Sequence, residues 1–146
     1  MSEAFVAGRA VRKGEEMQVP NTSKPSGNSA RHILIVDDAD DIRLLIRLGI
    51  SKMLPEVQVS ESESGMKAAA VLAGNKVDLV VSDLEMDNGN GFWLHCFMSQ
   101  YYEEIPLIFF TGNPSQAQRV SHTRKVFSKD DLNGLLKEIT EVRVAK

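Results

Sequence analysis

Cysteine is nearly missing from this chain: Cys96 is the single one among 146 residues, so no disulfide can form within it. No apolar stretch is long enough to cross a bilayer as a helix or to serve as an ordinary secretion leader, which makes a cytoplasmic protein the expectation and a membrane partner unexpected. A basic excess is lacking too. Lys and Arg total 17 against 20 Asp and Glu, for a formal net charge of −3, and no DNA-binding motif accompanies them, so nucleic acid is not an expected partner. Histidines are few: His122 lies in a polar stretch without a second histidine at metal-ligand spacing. The length allows one ordinary core and leaves no room for a second.

Residues 1–30 differ in kind from the rest. They hold Pro20, Pro25, three glycines and a turn-rich run from Asn21 to Ser29, with little apolar material, and read as a flexible N-terminal tail. A short docking segment around Ala4–Val11 is the alternative reading. From residue 31 to 146 apolar runs alternate with amphipathic segments, and this part reads as the folded domain.

Apart from His32 and Asp78, the runs His32–Val36, Val77–Val81 and Leu107–Phe110 are apolar throughout, as strands covered on both faces of a parallel sheet are. Val57–Ser60 and Val126–Ser128 are weaker strands. Helices are expected over 40–54, 65–73, 91–102 and after Lys129. Ile42, Leu45, Ile46, Gly49 and Met53 form the inner face of the first, and Leu132, Leu135, Leu136, Ile139 and Val142 that of the last. Strands alternating with helices imply an α/β fold with a doubly wound parallel sheet and right-handed crossovers.

The polar residues stand at the C-terminal ends of these runs: Asp37 and Asp38, Asp83, Thr111 and Lys129. Parallel strands bring those ends to one edge, where open α/β sheets bind ligands. Converging carboxylates repel, so the set needs a cation, and a hard divalent ion such as Mg²⁺ suits oxygen ligands. A threonine hydroxyl and a lysine beside them suit phosphoryl chemistry on an aspartate. Singly, each residue has a plainer reading. The acid pair can be the N-terminal charge of a helix, Asp83 the start of a turn, Thr111 part of a loop and Lys129 a solvated lysine. Those readings leave the joint pattern unexplained.

Val36-Asp37-Asp38-Ala39-Asp40-Asp41-Ile42-Arg43, the stretch Asp83 to Gly91, Thr111-Gly112 and Ser128-Lys129, in this order and spacing, resemble the response-regulator receiver domain of two-component signalling over residues 31 to 144. The resemblance implies a flavodoxin-like fold with strand order 2-1-3-4-5. It implies Asp83 as the phosphoacceptor, Asp38 as a direct Mg²⁺ ligand, Asp37 as a ligand acting through water, and Glu85 as the donor of a backbone carbonyl to the metal. Thr111 is then the switch hydroxyl and Lys129 the phosphate-pairing lysine. The implied donor is a histidine kinase or histidine phosphotransfer protein. The expected protein is a stand-alone receiver that modifies only itself and signals through a downstream protein or self-association. The alternative is an interaction module that keeps the fold without phosphorylation.

Three departures from the family pattern stand out. Asp130 follows Lys129 where proline is usual, Asp87 replaces a proline four residues after the acceptor, and Val126 occupies the aromatic switch position, with Phe127 on the opposite side of the strand. Only Gly112 to Ser128 separates Thr111 from Lys129, and that stretch is polar, so the fourth helix is expected to be short or irregular. In the third helix Phe92, Leu94, His95 and Met98 are assigned to the core. Trp93, Phe97 and Tyr101 form a second stripe that a short fourth helix would leave partly exposed.

Overall fold

The computed structural model describes residues 32–142; the expected tail over 1–30 and the segment Ala4–Val11 lie outside them. The elements run β1 (His32–Val36), α1 (Asp40–Met53), β2 (Gln58–Ser62), α2 (Gly65–Gly74), β3 (Leu79–Ser82), α3 (Gly91–Tyr101), β4 (Leu107–Thr111), α4 (Pro114–Val120), β5 (Lys125–Ser128) and α5 (Leu132–Glu141). All five strands are parallel, in the order β2-β1-β3-β4-β5. This is the expected doubly wound, flavodoxin-like sheet.

Alternate residues of the central strands feed two cores, as the two-residue strand period requires. Ile33, Ile35, Leu79, Val81, Ile108 and Phe110 face α1 and α5 with Ile46, Ile50, Leu135 and Ile139. Leu34, Val36, Val80 and Phe109 face α2, α3 and α4 with Ala68, Leu94, Met98 and Ala117. Burial on both faces is why these strands read as unbroken apolar runs.

Four helices start on side-chain caps that satisfy otherwise unpaired N–H groups. Ser64 accepts from the Lys67 N–H, Asn90 from Trp93, Asn113 from Gln116 and Asp131 from Gly134. Ala39 caps α1 without a side-chain bond, and Asp40 and Asp41 supply the favourable negative charge in its first turn.

The helix faces correct the expectation at three residues. Leu45 and Met53 of α1 are exposed, because the buried face follows Ile42, Ile46 and Ile50 at intervals of four. Phe92 of α3 is exposed as well, while Leu94 and Met98 are fully buried. The edge strand β2 begins one residue later than expected and runs two residues further. Its bounds come from pairing with β1, from His32 opposite Gln58 to Val36 opposite Ser62.

The expected short α4 is seven residues long and buries only Ala117. Beside it Trp93, Phe97 and Tyr101 form a ladder of rings, with centroids 5.3 and 5.2 Å apart, in which Trp93 and Tyr101 remain exposed. Among the described residues no helix is long and apolar enough to cross a membrane.

Candidate functional site

The C-terminal strand ends deliver the acidic residues to one edge. Main-chain bonds continue past β1 and β3: the Asp37 N–H donates to the Ser62 carbonyl at 3.1 Å, and the Asp83 N–H to the Val36 carbonyl at 2.9 Å. Both residues are therefore aligned by their neighbours in the sheet and buried. Asp38, one residue further along, is exposed at the mouth. One carboxylate oxygen from each of Asp37, Asp38 and Asp83 lies within 4.8 Å of the others.

Lys129 reaches this cluster from the end of β5. Its Nζ lies 3.0 Å from Asp83 Oδ2 and 3.1 Å from Asp37 Oδ2. Its main-chain N–H donates to the Thr111 carbonyl at 3.0 Å, which ties the lysine to the neighbouring strand end. The other oxygens of the buried acids are held by the backbone. Asp37 Oδ1 accepts from the Ala39 N–H at 2.9 Å, and Asp83 Oδ1 from the Leu84 N–H at 2.7 Å. Asp37 thus orders the turn that leads into α1.

Electrostatics show what the cluster lacks. Burial raises the Asp37 carboxyl above the ordinary aspartate range, and the nearby Asp83 charge adds to it; the Ala39 N–H and Lys129 offset only part. Burial alone would lower the Lys129 ammonium, but hydrogen bonding and attraction from Asp83, then Asp37, outweigh it and raise it. The lysine is therefore a firm cation, yet one ammonium against three carboxylates leaves excess negative charge. A hard divalent cation fits this oxygen set, with Asp37, Asp38 and Asp83 as the side chains able to hold it.

Thr111 is buried at the end of β4, on the same edge. Its hydroxyl accepts from the Asn113 N–H at 3.1 Å and thereby serves the turn into α4. Glu85 is exposed in the loop two residues after Asp83. Val126 and Phe127 pack into opposite cores, so no ring of β5 lies on the α4 side of the sheet.

Two supports were not foreseen in the sequence. Arg43 donates to the Asp37 carbonyl and pairs with Asp40 and with Glu61 of β2, Nε to Oε1 at 2.9 Å, which fixes the β1–α1 turn. The Asp40 pair has an i, i+3 signal, whereas Glu61 is distant in the chain. Gly91 donates to the Leu84 carbonyl at 2.8 Å, and a Cβ there would lie 2.3 Å from the Asp83 carbonyl oxygen. Its only sequence signal was a glycine at a helix start.

The profile of the response regulator receiver domain matches residues 33–141. Among curated proteins, the transcriptional regulatory protein GlrR of Escherichia coli is 38% identical over 98 residues, covering 66% of this chain and 22% of GlrR. The chain thus spans about a fifth of that relative's length. A CheY-like receiver domain protein from Methanospirillum hungatei superposes with a TM-score of 0.69 at 20% identity, over 77% of this chain and 93% of that one. The response regulator TrrA of Thermotoga maritima, solved in complex with Mg(2+)-BeF, gives 0.63 at 21% identity, over 75% and 98%.

Proposed function

Since the chain belongs to the response-regulator receiver family, we propose that Asp83 accepts a phosphoryl group from a phosphohistidine donor in a Mg²⁺-dependent reaction. The observation that carries this reading is the position of the Lys129 ammonium, within 3.1 Å of both Asp37 and Asp83 in a cluster of three carboxylates. The relatives are multidomain regulators and sensor kinases, in keeping with a histidine kinase or phosphotransfer protein as donor.

In the proposed reaction a carboxylate oxygen of Asp83 attacks phosphorus, the new P–O bond forms as the donor's P–N bond breaks, and the imidazole departs with the electron pair. Asp38, Asp83 and the Glu85 carbonyl, with Asp37 acting through water, would hold Mg²⁺, which would supply positive charge to the phosphoryl oxygens. Leu84 keeps Asp83 Oδ1 oriented through its N–H. Lys129, already paired with Asp83 Oδ2, follows the negative charge onto the transferred group. Thr111 accepts from Asn113 and so retains its own hydroxyl proton for a phosphoryl oxygen. In this reading the chemistry is confined to the chain's own aspartate. The output passes by protein contact, as the loop after Thr111 adjusts to the bound phosphoryl group.

Intact mass after incubation with a small acyl-phosphate donor and Mg²⁺ tests the reading. The wild-type chain gains one phosphoryl group, and Asp83→Asn, which lacks the nucleophilic carboxylate, gains none. Equal uptake by Asp83→Asn places the acceptor elsewhere. No uptake by the wild type favours the phosphorylation-independent interaction module.

A further inference from the structure

The loop from Asp83 to Asn90 carries the acceptor but has Asp87 where receivers usually have a rigid proline. The first turn of α2 holds it instead. The Gly65 N–H donates to the Gly89 carbonyl at 2.6 Å, and the Met66 N–H to the Asn88 carbonyl at 3.1 Å. Ser64 Oγ takes the next amide, that of Lys67. The start of the helix is thus satisfied jointly by its own cap and by the acceptor loop.

This contact depends on backbone that side chains would obstruct. Asn88 and Gly89 both have left-handed conformations, with φ of 58° and 93°. A Cβ on Gly65 would lie 2.5 Å from the Gly89 oxygen, and one on Gly89 would lie 2.9 Å from the Met66 nitrogen. At its base the loop is closed by the Gly91 N–H on the Leu84 carbonyl. Between these two fastenings lie Glu85, Met86 and Asp87. The same first turn, with Met66 and Lys67, forms one wall of an open cleft whose other lining residues include Asp38, Asp87 and Asn88.

We propose that Gly65 is a positioning residue for the phosphoacceptor site: by fastening Asn88 and Gly89 to α2 it holds the acceptor loop in the form that binds Mg²⁺. The inference rests on the reading of Asp83 given above. A loop already held in place need not be ordered when the cation arrives, so less binding free energy is lost to ordering. Groups that orient metal ligands from behind commonly contribute about 10–100-fold to metal affinity.

The test compares Gly65→Ala with Gly74→Ala in the full chain. Both substitutions lie in α2, but nothing stands within 4 Å of a Cβ at position 74. Mg²⁺ is titrated below the thermal transition and followed through Trp93, the only tryptophan, whose main-chain N–H donates to the Asn90 side chain at the end of the loop. Calorimetry serves as an independent readout. Gly65→Ala is expected to weaken Mg²⁺ binding at least about 10-fold. Its phosphoryl uptake slows by the same factor at limiting Mg²⁺ and recovers at saturation. Gly74→Ala keeps wild-type values in both measurements. Equal Mg²⁺ affinity in the three folded proteins, with only the melting temperature of Gly65→Ala lowered, overturns the proposal and leaves Gly65 a packing residue. If Gly65→Ala does not fold, Gly89→Ala strains the same contact from the loop side. Unchanged affinity in folded Gly89→Ala overturns the proposal equally. A wild-type chain that neither binds Mg²⁺ nor takes up phosphoryl removes the site assignment itself and this inference with it, a result distinct from equal affinities.

Discussion

Lys129 shows how much of the site depends on one residue. Its ammonium is the cation paired with two nearly buried carboxylates, those of Asp37 and Asp83. Removing one partner of a buried ionic set leaves charge without compensation and costs far more than an exposed pair would. Lys129→Met is therefore expected to lower stability by about 3 kcal/mol in metal-free buffer, measured by urea denaturation. A loss within error of zero would mean that the two acids do not rely on the lysine. At this scale the sequence was informative for the placement of Asp37, Asp38, Asp83 and Lys129, because each lies within two residues of a strand end. It was not informative for the Thr111 hydroxyl, whose bond to the Asn113 N–H depends on the shape of the following turn.

Among the elements, α3 and the segment leading into β5 meet beside the seven-residue α4. Arg124, just before β5, reaches across to α3. Arg124 Nε donates to His95 Nδ1 at 3.0 Å, and its Nη2 to Ser99 Oγ at 3.2 Å. The imidazole must be neutral to accept that bond. Burial, and then the Arg124 charge, hold it below its ordinary value. A base with a lowered folded-state value binds its proton more readily when unfolded. Its contribution to stability is complete above the ordinary value near 6.5 and is lost as pH falls through the lower, folded one. Acidification from about pH 7.5 to about pH 5.5 should therefore destabilise the wild type more than His95→Gln, judged by urea midpoints. Equal losses would show that His95 is not responsible. The aromatic periodicity of α3 was visible in the sequence, but Arg124 as its polar neighbour was not, since the two segments meet only through the fold.

For the molecule as a whole, the edge that gathers three carboxylates also links cation binding to folding. The cluster is assembled from the ends of β1 and β3, which are far apart in the unfolded chain, so a cation binds the folded state preferentially. At a free Mg²⁺ concentration one hundred times its dissociation constant, stability is expected to rise by about 2.7 kcal/mol. Thermal unfolding with and without Mg²⁺ measures this, and Asp38→Ala should remove most of the gain. A Mg²⁺-independent transition in the wild type would show that the cluster does not take the ion.

By itself the sequence determined the layered fold, the strand order by resemblance, and the acids, threonine and lysine that share one edge. Unbroken apolar runs are a direct record of burial on both faces, and a residue at a strand end inherits its place from the strand. Only the tertiary structure decided which helix faces are inner, how Arg43 meets Glu61, and how Gly65 and Met66 hold Gly89 and Asn88. Leu45 and Ile46 are adjacent and equally apolar, yet one is exposed and the other buried, because the angle at which α1 packs against the sheet is absent from local periodicity. The fastening between α2 and the acceptor loop is made of main-chain amides and carbonyls, which every residue but proline possesses. Side-chain patterns therefore carry no mark of it beyond two glycines, and their meaning appears only when the two segments are brought together.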